Sequence, residues 1–385
     1  KELGRGNSQI LELKDEDVAD FIKKNQTDWF KVLLKKATVE THDVSVSGAA
    51  NDFNYYLSFG SYKEDGLATN SSFERMNVRF NADYRANKYL KVGNSFTVIS
   101  SKDNELRDRN NVQNPFVGIY FYNPYETVYE QDSAGQVVLD ENGNPVWNLT
   151  HQGFNALEGI QNSPERFKYF NVIGNVYAQL DIIDGLSIKT DVGVKHRTDR
   201  RYSYLYPGSI LDGYVGNPDA PGTLTQNTYQ NALIKWANVI NYAKSFKAKH
   251  NLGLLAGTEL LKTDYESMGA TAEGFTSKDL MQLGIAAIPT GATGTKSQYA
   301  LFSLFGEGKY NYANRYYVSA SVRRDGSTAF GPDNRYGTFW GASAAWNLAN
   351  ESFMKVKNVD QLKLRASVGT SGNDRIGDFL FLSTY

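Results

Sequence analysis

The residues able to do chemistry are few and poorly spaced for it. The chain has no Cys, which excludes thiolate metal sites, cysteine nucleophiles and disulfide frameworks. Its four His, at positions 42, 151, 196 and 250, lack the paired spacing that a metal centre or a Ser-His couple needs. Asp140, Asn142 and Asn144 begin like a calcium loop, but Pro145 stands where that loop turns on Gly, and no Glu closes it. A turn around Asn142-Gly143 is expected instead. Neither G-x-S-x-G nor a phosphate-cradling glycine loop occurs. The residues therefore argue against an enzyme, and neither cofactor nor metal is expected.

Two groups do carry an expectation. The stretch 102–166 holds Phe116, Tyr120, Phe121, Tyr122, Tyr125, Tyr129 and Trp147. Flat rings with polar edges suit sugars or peptides, so Phe116, Tyr120, Tyr122, Tyr125 and Trp147 are the candidate ligand platform. The alternative is that these rings pack the stretch against itself or a partner, because a connection of 65 residues needs a small core of its own. The second group is Arg323, Arg324, Asp325 and Gly326 at the end of one alternating run, with Arg335 across the following turn. It reads as a charged cluster that fixes a loop, with solvated hairpin charges as the bland alternative.

The elements that must hold these residues are strands. From Lys14 to Lys36 the spacing of Val18, Phe21, Ile22, Trp29, Val32, Leu33 and Leu34 predicts two short amphipathic helices, with Thr27 and Asp28 as N-cap candidates. Beyond that the period becomes two. Met76, Val78, Phe80, Ala82 and Tyr84 share one face while Arg75, Asn77, Arg79, Asn81, Asp83 and Arg85 share the other. Leu186, Ile188, Val192 and Val194 likewise oppose Lys189, Asp191, Lys195 and Arg197. About twelve such strands are expected, near 39–48, 53–62, 73–85, 88–101, 167–183, 186–203, 224–244, 249–266, 296–312, 315–327, 336–349 and 359–371.

Alternation alone fits a soluble sandwich or a membrane barrel. Strand length and loop rhythm separate them. Thirteen residues at about 3.3 Å each, tilted by about 40°, project onto roughly 33 Å, close to a bilayer core. Short links at 49–52, 86–87, 184–185, 245–248 and 313–314 alternate with long ones at 63–72, 102–166, 204–223, 267–295 and 328–335. A membrane barrel has short turns at one end and long loops at the other, whereas a sandwich has no reason to sort loops by length. The fold expected is all-β, an antiparallel transmembrane β-barrel, present as about twelve strands of a larger one. Composition agrees: 385 residues carry 41 Lys+Arg against 42 Asp+Glu, a net charge of −1 that gives no case for nucleic acid. With 25 Tyr, 21 Phe and 5 Trp the chain is aromatic-rich, yet its mean hydropathy is −0.47. That average is what two opposite faces produce.

Several stretches resemble one family. Thr27-Asp28-Trp29, His42 to Gly48 and Asn54 to Tyr62 with Asp65-Gly66 resemble the early barrel of SusC/RagA-type TonB-dependent outer-membrane transporters. The run Arg315 to Ser327, continuing through Phe330-Gly331-Pro332, Asn334-Arg335-Tyr336-Gly337 and Ser343 to Trp346, resembles the family's most recognisable segment. Leu362 to Gly369, Gly372-Asn373 and Ile376-Gly377-Asp378 form the third. Ala329 and Trp340 depart from the residues common there. The motif residues Arg323, Arg324, Asp325, Gly326, Phe330, Gly331, Arg335 and Gly337 are read as structural.

The resemblance implies a cell outer membrane of Gram-negative type, crossed by many strands. It implies TonB-dependent import of oligosaccharides or peptides, with a SusD-like surface lipoprotein at the mouth and the TonB complex acting through an N-terminal region. It places residues 1–38 as a helical connecting segment and 39–385 as partial barrel, with Lys1 and Tyr385 as interior points of a longer precursor. The rival expectation is a surface β-sheet module that binds glycans without transporting them.

Overall fold

The twelve alternating runs pair in chain order. The structure, a computed structural model, describes residues 14–105, 114–132, 134–354, 359 and 361–377. Lys1, Asp378 and Tyr385 lie outside them. Two helices, α1 (Val18–Lys24) and α2 (Trp29–Leu33), precede the sheet, and the Asp28 carboxylate caps α2 by accepting from the Lys31 amide at 3.2 Å. Then follow β1 (Thr38–Ala50), β2 (Phe53–Asp65), β3 (Ser72–Arg85), β4 (Leu90–Glu105), β5 (Glu165–Ile183) and β6 (Leu186–Leu205). The rest of the sheet is β7 (Thr223–Phe246), β8 (His250–Glu273), β9 (Ile288–Tyr312), β10 (Tyr316–Ser327), β11 (Tyr336–Asn347) and β12 (Lys363–Gly369). All neighbours are antiparallel, in one twelve-stranded sheet ordered β1 to β12. Three further short helices, α3 (Pro115–Phe121), α4 (Ala156–Asn162) and α5 (Ile210–Val215), lie in the long connections.

The short ends are true hairpin turns. Gly185 takes φ +81° and its carbonyl accepts from Ala243, an approach so close that a Cβ would strike the Ala243 backbone. Ala313 and Asn314 both take positive φ, 54° and 55°, as a type I′ turn requires. The loop rhythm differs from expectation at two places. The 267–295 connection contracts to 274–287, because β8 and β9 continue to Glu273 and from Ile288. Pro289, Gly291 and Gly294 read locally as loop, but Thr271, Thr293 and Thr295 suit a strand. A register shift between Thr271 and Ala272 leaves Thr290 unpaired beside Pro289, a bulge at the residue that cannot donate. The connection 348–362, between β11 and β12, lies at the short-turn end and is longer than the others there.

Among the described residues, no dry core backs either face of the sheet. Val44, Leu57, Phe59, Met76, Val78, Val176, Trp236, Leu260, Leu304 and Val322 all stand exposed on the same face. In water that apolar wall would be an aggregation surface; in lipid it is the outside of a barrel. Near the short turns the wall ends in an aromatic ladder. His250, Tyr312, Tyr316, Trp346 and Phe353 follow one another at centroid distances of 5.0, 6.4, 6.3 and 6.4 Å, the girdle expected at a membrane interface. The opposite face is charged and paired, with Lys91–Asp83 at 3.8 Å, Lys189–Asp191 at 3.9 Å and Arg197–Asp199 at 2.7 Å.

Burial concentrates instead at the long-loop end. Trp29 and Leu33 of α2 pack with Tyr122, Ala156, Leu157 and Ile160. A second cluster joins Leu224, Phe275 and Met281. Residues 29–35 therefore belong physically to the long-loop end: Lys35 donates to the Leu67 carbonyl, and the Trp29 indole donates to Asn123 at 3.1 Å.

Candidate functional site

Two sites can be built from the residues that the sequence singled out, both at the long-loop end. The first is the 106–164 connection. Asn114 caps α3 with Pro115 at its first turn, and Asn155 caps α4 by accepting from Leu157 and Glu158 amides, so the two helices start where local chemistry dictates. Between them two successive Asx turns run in parallel fashion. Asp132 accepts from the amides of Ala134 and Gln136, and Asp140 from those of Asn142 and Asn144, with Gly135 and Gly143 both at φ +80°. The Asp140 carboxyl is held below the usual range by the Asn144 amide first and by the Asn144 side chain. The turn expected at Asn142-Gly143 is present, and the carboxylate that a calcium ion would need is spent on backbone amides.

The candidate platform separates into two sets. Tyr120 is 78% exposed, with Phe116 at 47%. Tyr122 is 6% exposed and meets Trp29 edge-on at 4.9 Å. Burial pushes its hydroxyl up to about 12, so it remains a phenol at any physiological pH. Trp147 lies against Tyr129 at 4.7 Å and packs on the same core, and Tyr125 is half-buried. The geometry thus leaves Phe116 and Tyr120 available to a ligand and commits Tyr122 and Trp147 to ordering the loop.

Sequence reasoning missed what locks this loop. Glu126 is fully buried and accepts from the amides of Asn123 and His151 at 2.6 and 2.5 Å, with the His151 ring at 3.1 Å. Asn148 donates to the Thr127 carbonyl, and Asn155 donates to Val128 and Asn148. A buried carboxylate in a polar stretch leaves no periodic signal. The Asn caps did leave one, as Asn-Pro before one helix and Asn before another.

The second site is the β10–β11 hairpin. Arg323 points to the charged face, donating to Asp325 and Ser303, both at 2.7 Å; Glu259 stands at 3.5 Å and is held in turn by Lys235 at 2.7 Å. Arg324 points the other way and lies over the Tyr336 ring at 5.1 Å. Gly326 pairs directly with Tyr336, whose ring covers it; a Cβ there would meet Tyr336 Cδ1 at 2.8 Å. Ser327 donates to the Arg335 carbonyl, and Gly331 opens the turn that returns the chain. Asp325, Phe330, Arg335, Gly337, Phe339 and Asp374 line one open recess of about 270 Å³ on the charged side. Arg335 Nε is buried there without a hydrogen-bond partner.

The structure therefore brings Asp325, Phe330, Arg335 and Gly337 together, and puts Arg323 and Arg324 on opposite faces. Tyr299, which donates to Asp374, and Asp374 itself were not foreseen, because they come from β9 and from the residues after β12.

No family model matches the sequence. Among curated proteins, TonB-dependent receptor P3 of Formosa agariphila is 28% identical over 370 residues, covering 93% of this chain and 35% of that protein. TonB-dependent receptor SusC of Bacteroides thetaiotaomicron is 25% identical, covering 93% of this chain and 36% of its own length. The chain thus spans about a third of the curated relatives it matches. Among solved structures, the RagAB peptide importer in its closed-closed state superposes with a TM-score of 0.74 at 26% identity, over 92% of this chain and 39% of that one. Its open-open state gives 0.75 at the same identity.

Proposed function

We propose, from the premise that this chain is barrel wall of a SusC/RagA-type TonB-dependent receptor, that the protein it forms imports oligosaccharides or peptides across a Gram-negative outer membrane. The observation that supports this most is the sheet itself. It combines an apolar outward face, a charged inward face and, from β1 to β11, loops sorted by length, and it superposes on a peptide importer over most of the chain. A wall of this kind continues into further strands beyond β1 and β12, because an open edge in lipid leaves backbone groups unpaired. Residues 1–38 are then a helical connecting segment and 39–385 the partial barrel, with a long extracellular loop near 102–166.

In this reading ligand first meets the exposed rings of Phe116 and Tyr120. It passes toward a lumen lined by Asp325, Arg335 and Asp374, which offer both signs of charge. A SusD-like lipoprotein covers the mouth. TonB supplies energy through an N-terminal region of the same protein. The long-loop core and the Arg323 network hold the wall and mouth in shape and take no part in covalent chemistry.

The test is uptake in cells that carry or lack the full-length gene. Accumulation of labelled peptide or oligosaccharide should depend on the gene and collapse when the proton gradient is dissipated. Uptake that survives dissipation would remove TonB coupling. Recovery of the protein as a monodisperse species in buffer without detergent would remove the barrel and leave a surface binding module in its place.

A further inference from the structure

The outward wall is apolar until, near the long-loop end, one register row changes character. Reading across the paired strands, the row runs Glu40, Lys63, Glu74, Lys102, Lys168, Arg200, Thr228. The first four alternate in sign, and Lys102 forms an ion pair with Glu74 at 2.8 Å. The next step breaks the alternation: Lys102, Lys168 and Arg200 stand directly opposite one another on three adjacent strands. Like charges so placed repel, and neighbouring strands are only about 4.8 Å apart.

Several arginines of the inward face are paired with carboxylates instead. On the inward face Arg197 pairs with Asp199 and Arg201 with Glu165, and Arg323 meets Glu259 and Asp325. Among the described residues, Lys168 and Arg200 have no acidic partner within ion-pair distance. Lys168 meets only the Tyr202 ring, at 5.7 Å. Both are exposed.

Their surroundings specify the missing partner. The three cations border an open recess of about 390 Å³, with Glu74 at the Lys102 side, Ser100 and Thr198 hydroxyls beside them and Met76 and Phe170 as its apolar floor. The next row toward the short turns is Val78, Val98 and Val172, continuing to His196 on β6. An occupant must therefore be anionic where it meets the cations and hydrocarbon immediately below, at the outer-leaflet end of the wall. We propose that Lys102, Lys168 and Arg200 form a binding site for the phosphorylated headgroup of an outer-leaflet glycolipid, whose acyl chains lie along Met76, Phe170 and the valine row. The phosphate supplies the negative charge that the Lys168–Arg200 end of the row lacks. This rests on the barrel reading above, with the long loops outside the cell.

The experiment uses the full-length protein in detergent micelles and native mass spectrometry with three probes: bisphosphorylated lipid A, the same lipid stripped of phosphate, and inorganic phosphate. The wild type should retain the bisphosphorylated lipid at least about tenfold better than the stripped lipid. It should not retain free phosphate, because the hydrocarbon floor is then unused. K168Q/R200Q should lose that preference, and K168R/R200K should keep it. Equal retention of both lipids by the wild type would overturn the site without any variant being made. Undiminished preference in a folded K168Q/R200Q protein would overturn it too, as would retention of free phosphate equal to that of the lipid. Failure of the barrel reading shows separately, as a protein that stays monodisperse without detergent.

Discussion

Tyr120 and Tyr122 are two residues apart and do different work, because one faces solvent and the other faces Trp29. Tyr122→Ala should remove the edge contact and open a cavity in the loop core. A cost of about 3 kcal/mol is expected locally, read as faster hydrogen exchange in α2 and α4. Tyr120→Ala should leave exchange unchanged and weaken ligand binding in the full-length protein. Unaltered affinity there would reject the ring as a contact. Glu158 makes a pH-dependent prediction. It is buried, accepts from Asn162 and from the Ile210 amide, and so bridges the 106–164 and 206–222 connections; burial is the main cause that raises its pKa. A carboxyl raised in the folded state stabilises most below the ordinary glutamate range, and that stability is lost as pH rises through the folded value. Docking of the two loops should therefore loosen across that window. Glu158→Gln keeps an acceptor and should flatten the profile, as measured by protection of the Ile210 amide against pH.

At the scale of elements, register decides which charges meet. Residues 323 and 324 are adjacent in sequence, yet only Arg323 reaches Glu259, since alternate side chains leave a strand on opposite faces. Gly326 lies under the Tyr336 ring, a pairing that lets an aromatic cover a bare backbone. Gly326→Val should force the ring off and split the end of the β10–β11 hairpin. The expected outcome is a lower yield of heat-resistant folded barrel; normal yield with lost uptake would shift this motif from structure to ligand contact. The alternation that defines these strands was legible from single residues such as Met76, Val78 and Phe80. The extension of β8 beyond Glu266 and of β9 ahead of Lys296 was not, since Gly and Pro signals there are local while pairing is not.

The whole molecule sorts its connections. A short epitope inserted at Gly143 should be labelled on intact cells, whereas one at Gly185 should be reached only after the outer membrane is opened, because the two lie at opposite ends of the wall. Labelling of both on intact cells would contradict the assigned orientation. By itself the sequence determined the strand number, the two faces, the alternation of short and long links as far as β11 and the turns at Asp184-Gly185 and Ala313-Asn314. Each is a local pattern of period two or of backbone conformation that neighbouring residues carry unaided. Only the tertiary structure decided that α2 packs on the 106–164 loop, that Asp374, held by the Tyr299 hydroxyl, lines the recess around Arg335, and that Lys102, Lys168 and Arg200 stand in one row. Those contacts join residues from separate strands and loops. Their energies depend on register and burial, which no window along the chain contains.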